Sequence, residues 1–396
     1  MEIRDFLKVM VEHDASDIYL TVDSFPMYRV YGITQPVGDG KLTNEQLEAL
    51  ANAVMRTEKQ KKEFGETMEM NLALAYDDLG RFRVNIFRQR GNVGFVIRQI
   101  KVEIVPLDEL GLPPIIKDIS MSKRGLVLVV GATGSGKSTT LAAMIDHRNS
   151  MAQGHIVSVE DPIEFVHRHK KSIVTQREIG FDTLSYANAL KNTLRQAPDV
   201  ILIGEIRDTE TMEAAITFAE TGHLCLGTLH SNNANQAIER IMNFFPQERH
   251  AQIYLQLSLN LRAIISQRLI PSLDGKRSAA MEVLMDTPRI RELIKRGEVD
   301  ILKDAMEQGI QEGCQTFDQA LFVLYKEGKV TIEQALINAD SANNLRLKIK
   351  LEGLKGDEAI DKLLEKDDKD KKDKTEKPTG LQIKGVQPGG APFRKI

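Results

Sequence analysis

The chain has 396 residues, of which 42% are hydrophobic and 28% charged, with a formal net charge of −3. Those values suit a globular protein with room for two domains and a tail, and the near balance of charge gives no whole-chain electrostatic case for nucleic acid. The opening residues Met1-Glu2-Ile3-Arg4-Asp5 mix charges where a secretory signal needs an apolar core, and no apolar run of about 18 residues occurs. A cytoplasmic protein that meets a membrane only through partners is therefore expected.

Residues 1–98 read as an N-terminal α+β unit. Phe6, Leu7, Met10 and Val11 suggest an amphipathic helix, and the runs 16–22 and 27–33 tend to alternate apolar with polar residues. In 80–87 the alternation is clear: Phe82, Val84 and Ile86 fall on one face, Arg81, Arg83 and Asn85 on the other, so guanidinium groups project from one side of a strand. Arg98 closes a further apolar run, Gly94-Phe95-Val96-Ile97. Pro106, Gly111, Pro113 and Pro114 mark 99–114 as a linker.

Residues 115–275 carry the nucleotide chemistry. The apolar run 125–130 leads into Gly131-Ala132-Thr133-Gly134-Ser135-Gly136-Lys137-Ser138, which fits the phosphate-loop pattern Gly-x-x-x-x-Gly-Lys-Ser/Thr. Leu141, Met144, Ile145 and Arg148 follow at helical spacing. A strand entering such a loop and a helix leaving it aim successive N–H groups at phosphate oxygens, so a nucleoside triphosphate is expected on residues 131–138 and the adjoining Thr139. Lys137 brings an ammonium to the β- and γ-phosphates, and Ser138 a hydroxyl to Mg²⁺.

Apolar runs recur at 156–159, 200–203 and 224–228, separated by helical patterns, which is the rhythm of a mostly parallel sheet whose ligands sit at the carboxyl ends of its strands. The first delivers Glu160, Asp161 and Glu164, any of which could orient or deprotonate a water. The second ends in Gly204-Glu205, a glutamate where a metal-side carboxylate is needed. His223 and His230 flank the third, as sensors of phosphate or of a subunit boundary, or as ordinary strand-end histidines. Cys225 and Cys314 are too few for a disulfide framework or a zinc site and read as core residues.

From 276 to 352 the pattern is helical, marked by Ile290, Leu293 and Ile294, then by Phe317, Leu321 and Leu324. Beyond 353 a dense mixed-charge run, 365–374, gives way to Pro378, Gly380, Gly385, Pro388 and Gly389-Gly390. A segment so poor in apolar residues cannot offset its ordering entropy and is expected to be disordered.

Four stretches together resemble, in order and spacing, the Walker A, Asp box, Walker B and His box of the secretion-superfamily ATPases. They are the phosphate loop, Val159-Glu160-Asp161-Pro162-Ile163-Glu164-Phe165, Ile203-Gly204-Glu205-Ile206-Arg207-Asp208, and Thr221-Gly222-His223-Leu224 through Thr228-Leu229-His230-Ser231. The resemblance spans residues 1–350 and is nearest the type IV pilus retraction motors of the PilT/PilU branch, with PilU-like segments at 154–156, 191–199, 315–321 and 340–347. It implies an α/β protein with a RecA-like P-loop core, preceded by a PAS-like α+β domain and assembled as a homo-hexamer in which one subunit's N-terminal domain packs on a neighbour's core. It implies hydrolysis of ATP with Mg²⁺, with Glu164 as the catalytic carboxylate, Glu205 serving the metal, His223 and His230 in the His box, and Arg83 and Arg98 as arginine fingers.

In the same way it implies work in pilus retraction beside a PilT-type ATPase on a PilC-type inner-membrane platform protein, hence a cytoplasmic place peripheral to the inner membrane. There are two departures. Residues 289–295 read Arg-Ile-Arg-Glu-Leu-Ile-Lys where PilT-like motors carry Ala-Ile-Arg-Asn-Leu-Ile-Arg, which points to an accessory motor, and the charged tail lies outside the family pattern. A pilus assembly or type II secretion ATPase fits less well, since those relatives usually carry a tetracysteine element. A RecA-like nucleic-acid translocase lacks its basic, aromatic-rich strip, and the presence of both Glu164 and Glu205 argues against a regulator that holds ATP without cleaving it.

Overall fold

A computed structural model describes residues 2–30, 32–38, 40–100 and 103–352. The charged segment 353–396, expected to be disordered, lies outside them.

The first helix, α1 (Ile3–Glu12), buries Ile3, Phe6, Leu7 and Met10. That stripe runs i, i+3, i+4, i+7 from Ile3 and leaves Val11, expected on the same face, 38% exposed at its rim. After β1 (Ala15–Leu20) the run 27–33 proves to be a hairpin rather than one strand: β2 (Met27–Val30) turns into β3 (Ile33–Pro36). Capping boxes formed by Thr43 with Gln46 and by Thr57 with Gln60 start α2 (Asn44–Val54) and α3 (Glu58–Thr67), each satisfying two otherwise unpaired backbone donors. Three strands follow, β4 (Glu69–Tyr76), β5 (Gly80–Gln89) and β6 (Asn92–Ile100), completing an antiparallel sheet of order β3-β2-β1-β6-β5-β4. The alternation read in 80–87 is present in β5, where Phe82, Val84 and Ile86 are fully buried. Register sets Arg83 directly opposite Arg98, so both side chains leave the same face of the sheet.

Leu107, within the expected linker, is already packed into the core of the second unit. That unit runs α4 (Ile115–Ser120), β7 (Gly125–Val130), α5 (Lys137–Met151), β8 (Gly154–Glu160), β9 (Ser172–Glu178), α6 (Tyr186–Thr193), β10 (Val200–Ile203), α7 (Thr209–Glu220), β11 (Leu224–Leu229), α8 (Ala234–Met242), α9 (His250–Asn260), β12 (Leu261–Pro271) and β13 (Arg277–Met285). The strands form one sheet of order β13-β12-β7-β11-β10-β8-β9, parallel at every step except β12 to β13. Every residue of β7, β10 and β11 is buried, as strands covered on both faces require. Both cysteines are core residues here.

The pattern expected to be helical from 276 begins instead with a strand. β13 pairs with β12 from Pro271↔Arg277 to Ala263↔Met285, and its last six residues are all buried, so no alternation betrays it. Helices α10 (Pro288–Arg296), α11 (Leu302–Gln308), α12 (Phe317–Lys326), α13 (Ile332–Ile337) and α14 (Ala342–Leu351) complete the described chain. Phe317, Leu321 and Leu336 of this layer share a small core with Ile270 and Ala280 of the hairpin.

Candidate active site

The buried strand β7 delivers the phosphate loop under tight steric control. At Gly131 (φ +152°) a Cβ would stand 2.5 Å from Ser135 Oγ and 2.6 Å from the carbonyl oxygen of Gln267, and at Gly136 (φ +90°) it would stand 2.7 Å from Gln267 Nε2. Glycine is required at both positions because the loop lies directly on β12. The Thr140 hydroxyl donates to Gln267 Oε1 at 2.7 Å, which ties the first turn of α5 to the same strand. Gln267 was not foreseen; its trace in the sequence is the polar run Ser266-Gln267-Arg268 between the apolar pairs Ile264-Ile265 and Leu269-Ile270. Lys137 Nζ donates to the carbonyls of Gly131 and Ala132, both at 2.9 Å. Burial pulls its pKa down, while the charges of Glu205 and Glu164 oppose the shift.

Three carboxylates that the sequence could not tell apart occupy three different environments. Glu160 is half-buried, accepts from the Ser158 hydroxyl at 2.6 Å and from the Gln176 amide at 3.2 Å, and desolvation pushes its pKa up to about 7. Asp161 Oδ2 pairs with Arg207 Nη2 at 2.9 Å. Glu164 is exposed and lines the same cavity as Lys137; its carboxylate makes no hydrogen bond or ion pair among the described residues.

Glu205 is held at the end of β10 between Arg207 Nε at 3.3 Å and His230 Nε2 at 3.4 Å. Gly204 lets the end of β10 lie against β8, since a Cβ there would stand 3.0 Å from Glu160 Cα. Its carbonyl accepts from the Thr228 hydroxyl at 2.5 Å, which joins the ends of β10 and β11.

These groups surround one cavity of about 530 Å³, whose wall includes Thr133, Gly134, Gly136, Lys137, Ser138, Thr139, Glu164, Glu205 and His230. Gly131, Ala132 and Ser135 face an adjoining recess of about 310 Å³ instead. Three further expected site residues line neither space. His223 precedes the first residue of β11 and His230 follows the last, so the strand holds the two histidines at opposite edges of the sheet. His223 Nδ1 lies 3.0 Å from Thr221 Oγ1 and 3.2 Å from the Phe218 carbonyl, at the carboxyl end of α7. Arg83 and Arg98 are absent from the cavity wall; Arg98 Nε donates to the buried Asp17 at 2.8 Å.

The residues present fit a phosphate chain. Gly134 (φ +77°) leaves open space where a Cβ would stand, and the Lys137 ammonium is satisfied only by carbonyls that a phosphate could replace. Among the described residues no three His, Cys, Asp or Glu form a metal cluster. A divalent cation near Ser138 and Glu205 would therefore draw further oxygen ligands from the nucleotide. No helix among the described residues is long and apolar enough to cross a membrane.

A family model described as Type II/IV secretion system protein matches residues 6–355. The type IV pilus ATPase PilU of Pseudomonas aeruginosa is 54% identical over 352 residues, which cover 89% of this chain and 92% of that protein. PilT of the same organism, a type IV pilus retraction ATPase, is 42% identical over 344 residues, covering 87% of this chain and 100% of PilT. The crystal structure of the pilus retraction motor PilT with bound ADP is similar at a TM-score of 0.80 and 42% identity, covering 86% of this chain and 98% of that one.

Proposed function

The chain belongs to the Type II/IV secretion system protein family, and from that membership we propose that it is a Mg²⁺-dependent ATP hydrolase that powers or assists type IV pilus retraction. The observation that carries this reading is the convergence of Lys137, Ser138, Glu164, Glu205 and His230 on one cavity at the carboxyl edge of a parallel sheet.

Bound ATP takes the Lys137 ammonium from the two loop carbonyls, while the backbone N–H groups of 133–138 cradle its phosphates. Ser138 and Glu205 hold Mg²⁺, which when bound neutralises charge on the β- and γ-phosphates. Glu164, whose carboxylate makes no ion pair among the described residues, orients the attacking water and accepts its proton. The new P–O bond forms at the γ-phosphorus as the bond to the bridging oxygen breaks, releasing ADP and phosphate. His230 reads the change through Glu205. Arg83 and Arg98 come from an adjoining protomer of a homo-hexamer and stabilise charge on the γ-phosphoryl oxygens.

The names of PilU and PilT support placing this motor in type IV pilus retraction; in this reading it works beside a PilT-type ATPase, on a PilC-type platform protein at the cytoplasmic face of the inner membrane. The altered 289–295 stretch supports an accessory role there. Lys137→Ala tests the reading directly. Phosphate release is expected to fall by about a hundredfold or more with unchanged melting, and cells carrying the variant, scored with and without the partner motor, are expected to be hyperpiliated. A variant that still turns over ATP at the wild-type rate sinks the ATPase mechanism, and bald cells would transfer the protein to pilus assembly.

A further inference from the structure

The loop that carries Glu164 leaves the sheet at the end of β8, and beside the Asp161–Arg207 pair and the Glu160 carboxylate, which meets the Glu164 backbone, it is held by side chains of β9. Glu178 Oε2 accepts the N–H of Ile163 at 3.2 Å. Gln176 Nε2 donates to the carbonyl of Phe165 at 2.8 Å and to Glu160 Oε1 at 3.2 Å, while its Oε1 accepts the N–H of His167 at 2.8 Å. The residues on either side of Glu164 are thus each fastened to one edge strand, and the exposed carboxylate between them has no fastening of its own.

Neither Gln176 nor Glu178 lines the cavity. Glu178 is 1% exposed, and its own N–H is pinned by Asp182 Oδ2 at 2.9 Å. Burial raises its pKa, and the charges acting on it are Arg83 and Arg81 of β5 together with Asp182. A buried carboxylate that accepts a backbone N–H is costly to leave unmatched, so the bracket resists displacement from both sides.

We infer that Gln176 and Glu178 are positioning residues for hydrolysis: by clamping Ile163 and Phe165 they fix where the Glu164 carboxylate stands over the nucleotide, without touching the nucleotide themselves. The inference rests on the ATPase reading given above. Misplacing a catalytic group by about an ångström costs on the order of a hundredfold in rate, whereas the phosphate loop that sets nucleotide affinity is anchored elsewhere, on β7, α5 and β12.

The test is steady-state phosphate release by the purified full chain, with ADP affinity and melting temperature measured alongside. Gln176→Leu should lower kcat about tenfold or more while KM for ATP and the Kd for Mg·ADP stay within about twofold. Because it acts through Glu164, adding Gln176→Leu to Glu164→Gln should cost nothing further. Glu178→Ala should lose turnover in the same way, and Glu178→Gln should recover most of it, since the amide oxygen still accepts from Ile163. Gln176→Glu, which keeps the bond from His167 and loses both donated bonds, carries the same expectation should the leucine variant fail to fold. Unchanged kcat in a folded Gln176→Leu, or losses that multiply in the double variant, overturn the bracket alone. A wild-type chain that releases no phosphate overturns the ATPase reading and the bracket with it.

Discussion

Three acids in five residues looked interchangeable in sequence because burial is not a local property: Glu160 lies under Gln176 and Ser158, Asp161 beside Arg207, and Glu164 in the open. Glu160 has a consequence for stability. The folded-state pKa of Glu160 is raised to about 7 from an ordinary value of 4.5, and that of Glu282, which accepts from Ala234 N–H and the Ser266 hydroxyl, is raised likewise to about 7. Between those limits the unfolded chain has released protons that the folded chain retains. Each group therefore makes stability fall as pH rises through that window and adds no slope above it. Glu160→Gln removes one such group. In denaturant unfolding followed from pH 5 to 8, the pH slope should become shallower by up to about 1.4 kcal/mol per pH unit, the worth of one proton. An unchanged slope would mean that Glu160 is ionised or solvated in the folded chain.

Between elements, one strand residue adds a polar tie to the apolar packing of the C-terminal helices on the nucleotide sheet. The Arg268 guanidinium on β12 stacks 3.8 Å from the centre of the Phe317 ring, pairs with Asp340 at 2.8 Å and donates to the Asn338 carbonyl at 2.7 Å. It thereby engages the start of α12 and the turn between α13 and α14 together. Arg268→Ala should destabilise the fold by about 2 kcal/mol. Arg268→Lys should restore little, because an ammonium cannot stack and fork at once. A loss below about 0.5 kcal/mol in denaturant melts would show that these helices hold without the tie. None of this was legible in the sequence, although α10 and α12 were, through their apolar spacing. The phosphate loop and the carboxyl-edge glutamates were legible because their chemistry is packed into a few consecutive residues. β13 was not, because a strand buried on both faces loses its alternation. Gln267 and Gln176 were not, because their meaning lies in partners outside their own strands, the distant Thr140 for one and the 160–167 loop for the other.

For the assembled molecule the question is which chain supplies the arginines. Arg83 and Arg98 stand side by side on the N-terminal sheet, outside the cavity of their own chain, whereas Lys137 and Glu164 lie within it. If hydrolysis needs guanidinium groups beside the γ-phosphate, a ring can provide them at each seam between protomers. Arg83→Ala should then bind ATP normally and turn over slowly, and Glu164→Gln should do the same for a different reason. Mixed in equal parts and reassembled, the two inactive variants should regain activity: at roughly a quarter of the seams an intact Glu164 meets an intact Arg83 from the next protomer, for random closed rings. Arginines acting within one chain predict no recovery at any mixing ratio, because every protomer in the mixture lacks one of the two groups. Phosphate release measured across mixing ratios separates the cases, and its maximum near equal proportions is the signature of a site completed by its neighbour.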